Sequence, residues 1–240
     1  MTGRLQDRLA VITGASRGIG RAVALGMAAE GAHVILIART VGGLEEVDDE
    51  IRKVGGKATL VPMDLTDFAA IDRLGATIFE RWGKLDILVA NAGLLGTLTP
   101  LSHMDPKDWD KTLAVNVTAN YRLIRSLEPL LKRSDAGRAV FVTSGAAHKC
   151  KPYWGGYSVT KAALDAMMKT WAAECEKTSI RINSVSPGPT RTAMRKKAMP
   201  GEDPSTLTRP ADLVPLFIEL ALPSSERHGE IVEYQKAKNA

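Results

Sequence analysis

Tyr157 and Lys161 stand four residues apart, a spacing that puts both on one face of a helix. Ser144 lies upstream, at the end of the apolar, strand-like run AVFVTS (139–144). A phenol beside an ammonium points to proton transfer. The cation favours phenolate and draws a tyrosine pKa down from about 10 towards working pH. The spacing alone also describes an ordinary helix-surface pair, and Tyr234 with Lys238 repeats it in a polar tail. Whether Tyr157 and Lys161 do chemistry therefore depends on the elements that position them.

The first of those elements lies near the start of the chain. LAVIT (9–13) is a short apolar strand running into TGASRGIG (13–20), and RAVALGMAAEG (21–31) continues with helical spacing. A strand, a glycine turn and a helix open a dinucleotide-binding fold. Gly14 permits the tight turn, Gly18 lets backbone approach a pyrophosphate, and Gly20 permits close helix packing. The free N–H groups of the helix N-terminus then face the phosphates. The spacing Gly-x3-Gly-x-Gly differs from the Gly-x-Gly-x2-Gly fingerprint. A second strand, HVILIA (33–38), ends at Arg39. An NAD site places an acid near that point for the ribose 2′-hydroxyl, but no acid occurs here until Glu45. A guanidinium instead binds a 2′-phosphate through two parallel hydrogen bonds, and Arg17 adds a second positive charge. The dinucleotide expected is NADP(H).

The middle of the chain continues the alternation. Residues 42–54 read as a helix and KATLVPMD (57–64) as a third strand. Asp64 either accepts from the adenine amino group or organises the turn, and Asp67 caps a helix running to about Trp82. LDILVANAG (85–93) is nearly continuously apolar, as a parallel strand buried on both faces should be. It ends in Asn91-Ala92-Gly93, where an open α/β sheet has its ligand crevice. Residues 105–133 read as one long helix interrupted by Asn116, an awkward residue between two valines. A strand at 138–144 delivers Ser144, and a helix from about 156 delivers Tyr157 and Lys161. RINSVSPG (181–188) is a sixth strand, and EIVEYQ (230–235) a last one. Between them, 189–209 reads as a mobile segment and a helix starts after Pro210.

Composition is that of one globular domain over 1–240: 45% hydrophobic and 25% charged. The net charge of +5 comes from scattered residues, the densest cluster being Arg191, Arg195, Lys196 and Lys197. Without interleaved aromatics this describes solubility and not nucleic-acid binding. No apolar run approaches a membrane span. The start MTGRLQDRLAVITG has no apolar core of a signal peptide, so the address expected is the cytoplasm. Cys150 and Cys175 have neither metal-site nor redox spacing.

The ordered motifs resemble the short-chain dehydrogenase/reductase family over essentially the whole chain. The resemblance rests on TGASRGIG at 13–20, NAG at 91–93, Asn116, Ser144, YSVTK at 157–161 and PGPTRT at 187–192. The glycine spacing is that family's own. LLGTLTPLSHMD, YWGGY and PGPTRTAMR are similar to a proteobacterial branch of it, the YciK-like oxidoreductases. The resemblance implies a doubly wound Rossmann-type α/β fold with a parallel sheet of about seven strands. It implies an NADP(H)-dependent interconversion of a small-molecule carbonyl and an alcohol. Tyr157 would be the general acid or base, Lys161 would lower its pKa and hold the nicotinamide ribose, and Ser144 would hydrogen-bond the reacting oxygen. Asn116 would break its helix to hold a water linking Lys161 to solvent. In the same way Pro187, Gly188, Thr190 and Thr192 would fix the carboxamide end of the cofactor. Asp64 and Leu65 would flank the adenine, and Asn91, Ala92 and Gly93 would follow the ribose. Gly14, Ser16, Arg17, Gly18, Ile19 and Gly20 would belong to the cofactor-binding set. Ala38 followed by Arg39 matches the NADP-preferring subgroup. The rival reading is a catalytically silent NADP(H) sensor, against which stands the intact set of Asn116, Ser144, Tyr157 and Lys161.

Assembly can also be read from the two long helices. Residues 156–176 carry Ala162, Ala163, Leu164, Ala166, Met167, Met168, Trp171, Ala172 and Ala173, more than one apolar stripe. Residues 105–133 are similarly apolar. A second copy presenting the same helices would cover both, giving a homodimer with Met167 or Trp171 near its axis. The tail YQKAKNA offers little apolar area for the family's second contact, so a tetramer is not expected.

Overall fold

The computed structural model describes residues 3–235. Seven parallel strands form its centre: β1 (Leu9–Thr13), β2 (His33–Ala38), β3 (Lys57–Pro62), β4 (Ile87–Ala90), β5 (Arg138–Val142), β6 (Arg181–Ser186) and β7 (Ile231–Glu233). Their order across the sheet is β3-β2-β1-β4-β5-β6-β7. β1 pairs with β2 from Leu9 opposite His33, and with β4 from Ala10 opposite Ile87. The order reverses between β1 and β4. A crevice therefore opens beyond their carboxyl ends, because the connecting loops leave in opposite directions there.

Strand periodicity divides the core into two layers. Ala10, Ile12, Val34, Leu36, Ile87, Val89, Val140 and Val142 face one side. There they meet the apolar faces of helices α1 (Gly18–Ala29) and α2 (Val41–Lys53), and Phe217 and Ile218 of a C-terminal helix. Leu9, Val11, Ile35, Ile37, Leu88, Ala90, Ala139 and Phe141 face the other. Helix α3 (Phe68–Trp82) covers that side with Ile71, Leu74 and Ile78. Two further helices complete that layer. The first runs as α4 (Pro106–Leu113), a π-helical turn over Ala114–Thr118, and α5 (Ala119–Leu131). After the short α6 (Ala146–Lys149) comes the second, α7 (Gly155–Glu174). The chain then forms α8 (Ala193–Ala198), 3-10 turns at Pro204–Thr206 and Pro210–Leu213, and α9 (Val214–Ala221).

The doubly wound parallel sheet agrees with the sequence, and several local details do not. β3, β4, β5 and β6 each stop before the boundary that apolarity suggests, leaving Asn91–Gly93, Ser144 and Pro187-Gly188 in the turns beyond the sheet. Asn116 does not break its helix. It sits in a wide turn that keeps the helix continuous, a feature frequent at functional sites. The 189–209 segment, read as mobile, contains regular structure. Thr192 caps α8 by accepting from Arg195 N–H at 3.1 Å, and Arg195 forks onto Glu202 at 2.5 and 2.6 Å. An isolated bridge joins Thr190 to Thr208. Trp171 is not on the free face of α7. It is 2% exposed, edge-on to Phe141, and its indole N–H donates to Glu128 at 2.8 Å. Lys238 and most of the tail used in reading assembly lie outside the described residues.

Candidate active site

The glycine turn is built where a left-handed backbone and a close approach favour glycine. Gly14 has φ +65°, in the left-handed region that costs an L side chain roughly 1 kcal/mol. A Cβ on Gly20 would stand 2.3 Å from the Gly14 carbonyl oxygen and 2.5 Å from Asn91 Nδ2. Gly20 thus lets α1 start directly against the β4 turn. Arg17 occupies the N-cap of α1 without a side-chain cap, and the first turn holds no acidic residue. Those free N–H groups and the dipole behind them favour an anion.

The turn after β4 is locked by Thr13, which the motif reading passed over as a site residue. Its hydroxyl oxygen accepts from Asn91 N–H and Ala92 N–H, each at 3.0 Å, and Asn91 Nδ2 donates to the Thr13 carbonyl at 2.9 Å. A threonine closing the apolar run LAVIT, directly ahead of the first turn glycine, was the available signal. The next residue but two, Leu94, is held by Asn116. Asn116 Oδ1 accepts from Leu94 N–H at 2.7 Å, and Nδ2 donates to the Leu94 carbonyl at 2.8 Å and to Thr160 Oγ1 at 3.0 Å. Thr160 Oγ1 in turn donates to the Tyr157 carbonyl at 2.9 Å. The side chain of Asn116 therefore ties the crevice turn to the start of α7. Its backbone carbonyl accepts from Asn120 Nδ2 at 2.8 Å.

At the far side of the crevice, the end of β5 meets α7. Lys161 is fully buried, its Nζ 5.7 Å from the Tyr157 ring centre and donating to the Val142 carbonyl at 2.7 Å. Burial lowers its pKa to about 8, against a pull upward from Asp165. Burial also pushes the Tyr157 phenol above its ordinary value, outweighing a hydrogen bond with Ser144 that acts downward. This differs from the expectation that Lys161 draws the phenol down. Removing a phenolate from water is the larger effect of the protein's own groups.

All but two of the residues expected to form the site line one cleft of about 1780 Å³. The cleft runs from Arg39, Asp64 and Leu65 past Gly14, Ser16, Arg17, Gly18 and Ile19 to Asn91, Ala92 and Gly93. It then reaches Ser144, Tyr157, Lys161, Pro187, Gly188, Thr190 and Thr192. The exceptions are Gly20 and Asn116, which stand behind its wall and shape it. Asp64 Oδ1 accepts from Thr66 N–H at 2.9 Å and Thr66 Oγ1 at 2.8 Å, so it organises the turn while facing the cleft. Those bonds, with Arg39 nearby, hold its carboxyl below the usual range. Among basic groups on the cleft, Arg21 is engaged by Glu50 and Arg195 by Glu202. Arg17 and Arg39 are exposed and form no salt bridge among the described residues.

The family model for short chain dehydrogenases matches residues 8–203, and the chain belongs to that family. It is 39% identical to the uncharacterized oxidoreductase YciK of Escherichia coli (strain K12) over 226 residues, 93% of this chain and 89% of that protein. It also resembles a short chain dehydrogenase from Shigella flexneri 2a str. 301 solved in complex with NADP. The identity is 37% and the TM-score 0.93, over 97% of this chain and 99% of that one. A short chain dehydrogenase from Escherichia coli CFT073 complexed with NADPH matches with 37% identity and a TM-score of 0.91, over 97% and 98% of the two chains. Among the described residues, no helix is long and apolar enough to cross a membrane.

Proposed function

We propose that the chain is a single-domain, NADP(H)-dependent oxidoreductase that interconverts a carbonyl and a secondary alcohol, with Tyr157 as general acid or base. The observation that carries this reading is the continuity of one cleft. At one end it offers Arg39 and Arg17, without a salt bridge among the described residues, and the uncapped start of α1, and at the other Ser144, Tyr157 and Lys161. Those residues fit a dinucleotide phosphate: the free N–H groups take the pyrophosphate, and two guanidinium groups suit a 2′-phosphate. The NADP and NADPH bound to the relatives support the same choice.

Bound in the cleft, the nicotinamide supplies or accepts the hydride. The chain's own groups handle position and the proton. Ser144 offers its hydroxyl to the reacting oxygen, where negative charge develops during reduction. Tyr157 Oη delivers the proton to that oxygen, and burial favours this direction because it keeps the phenol protonated. Lys161, one helical turn on, holds the ribose and stabilises the phenolate left behind. Asn116 and Thr160 keep the crevice turn and α7 in register.

The same reading makes the active molecule a homodimer built on α5 and α7. Val159 is 43% and Tyr121 51% exposed, Ala162 and Ala166 are exposed, and Met167 is half-buried. An apolar face of that kind suits a second copy. The experiment that tests the cofactor choice is a fluorescence titration with NADPH and with NADH. A charge-assisted contact contributes roughly 1.5–3 kcal/mol, or about one to two decades in affinity per arginine. NADPH is expected to bind at least ~10-fold more tightly, and Arg39→Asp to reverse the order. Equal affinities in the wild type contradict the reading.

A further inference from the structure

Behind the catalytic lysine lies a charged group with no assigned role. Asp165 is one helical turn after Lys161 on the same buried side of α7 and is 3% exposed. Both of its carboxylate oxygens are buried without a hydrogen-bond partner among the described residues. His148 Nε2, on α6, approaches one of them at 3.3 Å, and the imidazole side chain is 62% exposed. The end of β5 matches these positions residue by residue. The Val142 carbonyl takes Lys161 Nζ, the Thr143 hydroxyl faces Asp165, and the Ser144 hydroxyl meets Tyr157. A buried carboxylate without full hydrogen bonding is costly, so its retention one helical turn from a buried lysine calls for an electrostatic reason.

We propose that Asp165 is a positioning residue for Lys161: the buried counter-ion that keeps the lysine charged, with His148 as its solvent-side partner. The proposal rests on the role given to Lys161 above. Burial alone disfavours the ammonium, and Asp165 is the group that opposes it. Burial likewise raises the Asp165 carboxyl, opposed by Thr143, His148, Lys161 and Lys169, the groups that face it from the turn after β5, from α6 and from α7. The pair therefore support each other's charge, and the exposed His148 imidazole approaches the carboxyl from the solvent side. Since α6 begins two residues after Ser144, the His148–Asp165 contact also fixes Ser144 relative to Tyr157.

The test reads ionisation and needs no turnover. Protein labelled with 13Cε-lysine and 13Cγ-aspartate is titrated by NMR, with Lys161→Met and Asp165→Asn for assignment. In the wild type, the Asp165 carboxyl is expected to be ionised by pH 8. Asp165→Asn is expected to make Lys161 at least ~3-fold easier to deprotonate, about half a pH unit, because an opposite charge nearby has been removed. Asp165→Glu should restore most of that shift, which a purely steric role would not do. His148→Gln, an exposed change, should raise the pH at which Asp165 ionises. An unchanged Lys161 titration in folded Asp165→Asn overturns the proposal. If that variant does not fold, a protonated Asp165 at pH 8 in the wild type overturns it equally. Were Lys161 to shift as expected while Lys161→Met kept normal turnover, the charge pairing would stand and the catalytic reading would fall.

Discussion

Replacing Asn116 by alanine separates a structural clamp from a helix breaker. The side chain makes three hydrogen bonds, two to the Leu94 backbone and one to Thr160. A net contribution of about 1 kcal/mol per bond gives roughly 3 kcal/mol, and the orphaned Leu94 groups hold the estimate at that level. With an m-value of about 3 kcal/mol/M for urea, the unfolding midpoint should fall by about 1 M. Asn120→Ala removes one bond, to the Asn116 carbonyl, and should lower the midpoint by only about 0.3 M. NADPH affinity should weaken in Asn116→Ala, because Leu94 anchors the turn that borders the cleft, and stay near normal in Asn120→Ala. Urea denaturation followed by circular dichroism measures both midpoints. Equal shifts for the two variants, or a shift below about 0.2 M for Asn116→Ala, would refute the clamp.

A second site of stability lies at the opposite end of the sheet. The fully buried Asp86 accepts from Arg8 Nη1 and Lys84 Nζ at 2.9 Å, Ser134 Oγ at 2.6 Å and Leu9 N–H at 2.9 Å. Burial pushes its carboxyl up, but those hydrogen bonds and Lys84 win and hold it below the usual range. Its contribution is therefore present above the unfolded pKa of about 3.9 and is lost as pH falls through the lower folded value. Asp86→Ala should cost about 3–5 kcal/mol at pH 7 by leaving Arg8 short of a partner, with a difference that narrows in acid. Urea midpoints at pH 7 and pH 3 check it, and a constant difference would contradict the sign. For assembly, light scattering coupled to gel filtration should give twice the 25.8 kDa chain mass. One chain mass would contradict the α5–α7 contact, and four would show that the tail was misjudged.

The cleft was legible because its residues occupy turns with strict local chemistry. Gly14 announces a left-handed turn and Gly20 a close approach with no room for a Cβ, and Asn91–Gly93 and Pro187-Gly188 follow apolar strands at the ends where a crevice must form. What stayed hidden depends on contacts across the chain. Val115 and Val117 around Asn116 look like ordinary helix, and nothing local distinguishes a π turn from a break. Asp165 and His148 meet only because α6 folds back on α7. Trp171 and Met167 could not be assigned to the core or the free face, because an apolar helix without a polar stripe conceals its orientation. In 189–209, proline and clustered basic residues suggest a mobile segment. The pairing of Arg195 with Glu202, seven positions away, gives it structure.

The central claim is that Tyr157 Oη moves the proton, and Tyr157→Phe tests it most directly. The variant keeps the ring that packs edge-on to Trp154 and deletes only the hydroxyl. NADPH titration and the urea midpoint should stay close to wild type. Turnover of whichever carbonyl compound the wild type reduces, followed by NADPH absorbance, should fall by at least ~10². Turnover within about threefold of wild type in a folded, NADPH-binding Tyr157→Phe protein would contradict the account.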